Sequence, residues 1–115
     1  MPHLVMDYSN DHLGRGRIAP LLEQLAATAA ATGVMQAADI KARARGFDDY
    51  LVGGKRDSFL HLTVFMLAGR TPAQKVALSV ALRQTLVEHC PDITSLSVDI
   101  RDMDPDAYKK RLKSE

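Results

Sequence analysis

The sequence predicts an α/β (α+β) architecture: two β-α-β units that form one four-stranded sheet with both helices on one face. Three observations carry this. Apolar residues recur at helical spacing in two separate windows, one around Leu21 and one around Leu82. Each window lies between two short stretches that read as strands. The two halves, approximately residues 2–46 and 58–102, repeat that order at nearly equal length. At 115 residues the chain has room for one domain, residues 1–115, and not for two ordinary ones.

The first strand is PHLVMDY, Pro2 to Tyr8, closed by Ser9-Asn10-Asp11; its imperfect alternation predicts a well-buried strand. A polar loop containing Gly14 and Gly16 follows. Ile18, Leu21, Leu22, Leu25 and Ala29 then mark a helix, with Gly33 placed as its left-handed stop. Proline is best tolerated in a first turn, so Pro20 predicts a start near Ile18 or Ala19. A second strand is expected over Ala38 to Arg45, followed by a loop turning at Gly53-Gly54.

The second half opens with the strongest strand, Ser58 to Leu67 (SFLHLTVFML), rich in β-branched and aromatic residues. Thr71-Pro72-Ala73-Gln74 is a helix start: Thr71 can cap, Pro72 suits the first helical position, and Gln74 can complete a capping box. That helix should run to about His89 and stop before Pro91. Its two apolar stripes, Val76/Val80/Val87 and Leu78/Leu82/Leu86, lie on different sides and predict a neighbour beyond its own sheet. Ile93 to Ile100 alternates as a half-buried strand, and Pro105 to Lys113 is expected to add a short charged helix. Parallel pairs joined through a helix are right-handed. With both helices on one face the other face is bare, and a chain this short has nothing left to cover it. Self-association is expected.

Composition limits the partners. Fifteen Lys+Arg against fourteen Asp+Glu leave a net charge of +1, which supports neither a nucleic-acid nor a membrane-surface role. Cys90 is the single cysteine, so no intramolecular disulfide can form. The opening MPHLVMDYSND lacks the layout of a signal peptide, and Leu60 to Ala68 is far short of the roughly 20 residues of a membrane helix. A cytoplasmic location is the expectation.

The histidines, His3, His12, His61 and His89, are scattered, so no metal site is expected. Gly14-Arg15-Gly16 lacks the rest of any dinucleotide or phosphate loop, and no cofactor is expected. What remains is a proline at position 2 and a set of cations. By position alone Pro2 is an ordinary second residue that also permits removal of the initiator methionine. Lys41, Arg43 and Arg45 alternate, so they share one face; alone, that is a solvated strand face.

Three stretches resemble one family. MPHLVMDYSND resembles the opening of 5-carboxymethyl-2-hydroxymuconate isomerases, ATAAATGV (residues 27–34) their first-helix exit, and HLTVFMLAGRT (residues 61–71) their third strand and the arginine turn after it. The resemblance implies a trimeric, cofactor-independent isomerase that moves a proton in a dienol di- or tricarboxylate such as 5-carboxymethyl-2-hydroxymuconate, giving its conjugated 2-oxo tautomer. It implies Pro2 as catalytic base once Met1 is removed, Arg70 as catalytic arginine, and Lys41 and Arg43 as substrate-binding cations. Lys41 stands where those relatives carry arginine, which keeps the charge but loses the planar two-toothed grip on a carboxylate. The Phe47 to Leu51 loop lacks their tryptophans, and the C-terminus is shorter.

The implied chemistry is consistent. A dienol carboxylate needs a base to move a proton from oxygen to carbon, and cations to stabilise the dienolate. A secondary amine is too basic in water to be free at neutral pH, and burial beside cations would disfavour its charged form. A retained Met1 would make the proline nitrogen an amide, which is no base. A general keto-enol tautomerase of simpler 2-keto acids, and a non-catalytic binding trimer of the same fold, are the alternatives.

Overall fold

The structure, a computed structural model, describes residues 1–113. Its elements in order are β1 (His3–Ser9), α1 (Arg15–Ala31), β2 (Lys41–Phe47), β3 (Phe59–Leu67), α2 (Pro72–His89) and β4 (Ser95–Met103). Short 3₁₀ turns follow β1 (Asn10–His12) and precede β2 (Ala37–Asp39). The sheet order is β2-β1-β3-β4. Each helix returns its chain so that β1/β2 and β3/β4 pair in parallel, and the two halves meet antiparallel at β1/β3. This is the predicted pair of β-α-β units.

Period two decides what each face carries. Leu4, Met6, Leu60, Leu62, Val64 and Met66 point to the helices and are buried, with Leu96, Val98 and Ile100 partly so. They meet Leu21, Leu25 and Ala29 of α1 and Leu78, Leu82 and Leu86 of α2. Where the helices touch, the hydroxyls of half-buried Thr28 and buried Thr85 lie 2.6 Å apart, so that polar pair is satisfied.

The opposite face has no helix. Its rows run Lys41–His3–Phe65–Arg101, Arg43–Val5–Thr63–Asp99 and Arg45–Asp7–His61–Ser97 across the four strands. Cations thus fill the β2 edge. Asp7 Oδ1 is buried without a hydrogen bond, with Arg45 Nη2 at 3.7 Å, an ion-pair distance only.

Helix α2 matches its sequence signals. Gln74 N donates to Thr71 Oγ1 (3.1 Å) and Thr71 N to Gln74 Oε1 (2.9 Å), closing the capping box. The Leu78/Leu82/Leu86 stripe is buried, while Val76 (60%), Val80 (48%) and Val87 (46%) stay exposed. The second neighbour expected for that stripe is not found within the described residues.

Four boundaries differ from expectation. α1 starts at Arg15, so Pro20 lies inside the helix rather than in its first turn. The missing hydrogen bond falls on an exposed side, and the earlier start lets Arg17 reach His89 O (3.2 Å) and Asp92 (3.4 Å). β2 begins at Lys41, because Ala37-Ala38-Asp39 has little strand preference and forms a turn instead, and the strand runs on to Phe47, paired with Ser9. β4 begins at Ser95: buried Ile93 plugs the turn after α2, its N–H donating to Cys90 O (3.2 Å). Pro105 to Lys113 forms one turn only, closed by Tyr108 N to Asp104 O (3.0 Å), since a short charged segment without an apolar stripe cannot hold a helix.

Candidate active site

A cavity of about 240 Å³ opens at the N-terminal end of β1, formed by Met1, Pro2, the segment from Gly33 to Gln36, Asp39 and Arg70. Local chain geometry brings these together. Gly33, at φ +77°, ends α1 and turns the chain so that Val34 faces the cavity. Gly69, at φ +129°, sends the chain back after β3 and places Arg70 at the same end. Lys41 N donates to Pro2 O at 3.0 Å, which ties the start of β2 to the buried proline.

The half-buried Arg70 donates from Nε (3.3 Å) and Nη2 (2.9 Å) to the single oxygen of Val34. One edge of the guanidinium is therefore fixed by backbone, and the Nη1/Nη2 edge is left for a ligand. That is the planar edge a carboxylate or an enolate oxygen can accept from.

With Met1 attached, the Pro2 nitrogen is an amide, and the amine at this place is that of Met1. Its pKa is lowered, first by burial; Asp39 opposes the shift, and the charges of Lys110, Lys41 and Arg70 add to it. The surroundings thus favour an uncharged amine.

Of the residues singled out from sequence, Pro2 and Arg70 share this cavity. Lys41 is bound to Pro2 through its backbone, and its residue is exposed on the bare face. Arg43 lies further along β2, in a separate depression of about 480 Å³ with Val5, Ala44, Arg45 and Phe65. There its Nη1 meets His3 Nδ1 at 3.1 Å. A guanidinium can only donate, so Nδ1 accepts and Nε2 carries the proton, donating to the Tyr108 hydroxyl at 3.0 Å. Burial chiefly, then Arg43, Lys41 and the terminal amine, hold the pKa of His3 down.

Asp39, His3, Tyr108 and Lys110 were not foreseen as site residues. Asp39 falls inside the strand expected over Ala38 to Arg45, although aspartate after two alanines is a turn signal. A third cavity, about 280 Å³, lies between Gly16, Arg17, His89 and the buried thiol of Cys90, away from Pro2. Among the described residues no three His, Cys, Asp or Glu side chains are grouped to hold a metal ion, and no helix is long and apolar enough to cross a membrane.

Among solved structures, a 5-carboxymethyl-2-hydroxymuconate isomerase from Deinococcus radiodurans R1 superposes with a TM-score of 0.82 at 28% identity, covering 96% of this chain and 88% of that one. Pt0534 inactivated by 2-oxo-3-pentynoate gives 0.85 at 20% identity, covering 94% and 90%. A fused 4-OT described as a symmetric trimer gives 0.81 at 22% identity, covering 94% and 90%. The last two show the shared fold alone. No curated protein matches in sequence. The model of the 5-carboxymethyl-2-hydroxymuconate isomerase family matches residues 2–112, which takes in all four strands, both helices, and the Pro2 and Arg70 positions. The chain belongs to the 5-carboxymethyl-2-hydroxymuconate isomerase family.

Proposed function

We propose that the chain is a cofactor-independent tautomerase of 5-carboxymethyl-2-hydroxymuconate or a closely related dienol carboxylate, with the Pro2 amine, freed by removal of Met1, as its base. The observation that carries this reading is the placement of buried Pro2 and the fixed Arg70 guanidinium in one cavity. Loss of Met1 would move the amine one residue inward, to Pro2, which lines the same cavity as Arg70. A shift of about two units needs only about 2.7 kcal/mol of differential interaction. The free amine accepts the enol proton. Negative charge then spreads over the dienolate, where Arg70 meets it through its unoccupied edge, with Lys41 adding a second positive charge. The proline ammonium returns the proton to carbon, and the amine is regenerated. Arg43, held by His3, is assigned the outer end of a long substrate.

We assign the bare sheet face to a homotrimer. Support comes from the trimer among the similar structures, the buried and unsatisfied Asp7 Oδ1, and Val5 and Phe65 on an otherwise uncovered face. A small carboxylate is the assigned substrate and a reducing compartment, the cytoplasm, the assigned location, which suits the lone Cys90 thiol.

Asp39 in the cavity and the diversion of Arg43 to His3 favour a second reading, tautomerisation of simpler 2-keto acids. Intact-mass measurement, followed by an ultraviolet assay with a hydroxymuconate-type enol and with phenylpyruvate enol, tests both. Protein lacking Met1 should be active, and Pro2→Ala should lose a hundredfold or more, the scale of a general base. Full activity in protein shown by mass to retain Met1 overturns the proposal.

A further inference from the structure

The cavity around Pro2 contains one ionisable group that this chemistry does not use. Asp39 ends the 3₁₀ turn Ala37–Asp39, which is closed by Asp39 N to Gln36 O (3.0 Å) and Ile40 N to Ala37 O (3.3 Å). Two residues on, Lys41 N is bonded to Pro2 O. Backbone hydrogen bonds therefore hold the aspartate in a set relation to the proline. Its side chain is half-buried, lines the same cavity as Pro2 and Arg70, and has neither an ion pair nor a side-chain hydrogen bond among the described residues.

No cation is paired with it directly among the described residues. Arg70 gives Nε and Nη2 to Val34 O, and Arg43 is turned to His3 in another depression. The cavity thus presents one guanidinium and one carboxylate without a direct ion pair, with Lys41 and Lys110 near enough to act on the same terminal amine. A substrate with carboxylates at both ends would want positive charge at each. Here one end would meet a negative charge, while an enol or alcohol hydroxyl at that end could donate to it.

We propose that Asp39 is a specificity-determining residue of the Pro2 cavity, admitting an enol with one carboxylate on Arg70 and an uncharged or hydrogen-bond-donating group toward Asp39, and disfavouring a second carboxylate there. The proposal rests on the reading of Pro2 as base. It favours the second reading given above, simpler 2-keto acids, over 5-carboxymethyl-2-hydroxymuconate. The aspartate charge also acts on the terminal amine against the cations, as expected of a group facing the same small space. Two like charges about 6 Å apart, at a dielectric of about 40, repel by about a factor of ten in binding.

The test compares the parent, Asp39→Asn and Pro2→Ala, each shown by mass to lack Met1, on 5-carboxymethyl-2-hydroxymuconate and on phenylpyruvate enol. Asp39→Asn should raise the ratio of kcat/KM for the multicarboxylate over the monocarboxylate about tenfold, mainly through KM of the former. The difference between parent and variant should shrink as salt is raised, because the repulsion is screened. A merely structural role would move both substrates by one factor and leave the ratio unchanged. An unchanged or reduced ratio overturns the proposal. Calorimetric titration with muconate and with phenylacetate reads the same preference without turnover, and equal effects of Asp39→Asn on both ligands, or no binding of either, also overturn it. Pro2→Ala separates the two ideas: parental rates in that variant would sink the base assignment, while the Asp39→Asn ratio still reports on the aspartate.

Discussion

Arg70 has two jobs in this arrangement, and replacing it should separate them. Nε and Nη2 clamp the carbonyl of Val34, and Arg70 lines the cavity beside Pro2. Arg70→Ala removes a charge-assisted contact to the dienolate of about 1.5–3 kcal/mol, which corresponds to roughly 10- to 150-fold in kcat/KM. The same charge anchors the bound carboxylate, so KM should rise and kcat should fall together. The clamp on Val34 contributes about 0.5–1.5 kcal/mol net to stability, so melting should drop by a few degrees rather than collapse. Arg70→Lys is the discriminating variant. An ammonium can keep the charge in the cavity, but it cannot hold Val34 O and present a planar edge at once. It should recover part of kcat and little of KM. Steady-state kinetics on both enols, with thermal melts followed by circular dichroism, would measure this. If Arg70→Ala left both constants unchanged on both enols, the assignment of this cavity would be wrong.

Leu82→Ala, in the fully buried stripe of α2, should cost about 2–5 kcal/mol in urea unfolding, whereas Val80→Ala in isolated subunits should cost under about 1 kcal/mol. His3 has a folded-state pKa below its unfolded value near 6.5, so the unfolded chain takes the proton first. Its contribution is therefore fully present above about pH 6.5 and is lost as pH falls through the folded-state value; urea midpoints at pH 7.5, 6.5 and 5.5 should fall, and His3→Gln should flatten that slope. Light scattering should give three times the 12.6 kDa chain mass, and a monomer or dimer at micromolar concentration would contradict the trimer assignment. Lys41→Arg should improve kcat/KM on the carboxymethyl substrate if the position beside Pro2 grips a carboxylate, and a loss on that substrate with none on phenylpyruvate enol would favour the simpler keto acids.

Much of the fold is visible in local sequence because its signals are local. The Thr71-Pro72-Ala73-Gln74 start depends on bonds within one turn, and it forms as spelled. Gly33 sits at φ +77° because the chain must reverse there, and glycine alone does so without strain. Pro20 misled for the complementary reason. Its cost is local, but the contacts that offset it, from Arg17 to His89 and Asp92, cross more than 70 residues and leave no local mark. The same holds for Ile93, whose alternation with Ser95 and Ser97 suits a strand until the turn after α2 needs a plug.

The site divides along the same line. Alternation places Lys41, Arg43 and Arg45 on one face, and they do share it. Alternation gives a face, however, and says nothing of distance from the proline. Successive residues on that face are nearly 7 Å apart along the strand, so only the first can lie beside Pro2. Arg43 is then close enough to His3, diagonally across the β1/β2 pair, to be captured by it. Asp39 is the converse case: it lies off the strand, so no periodicity marks it, yet the turn that removes it from β2 delivers it to the cavity. An all-cationic cavity is what the row of basic residues predicts. The folded chain draws Arg43 to His3 and adds the Asp39 carboxylate to the cavity that holds Arg70, so the charge a substrate meets there is smaller than the count of basic residues implies. Substrate preference should follow that remaining charge, which is why Asp39 and Arg70, rather than the full basic row, are the positions where changes in specificity are expected.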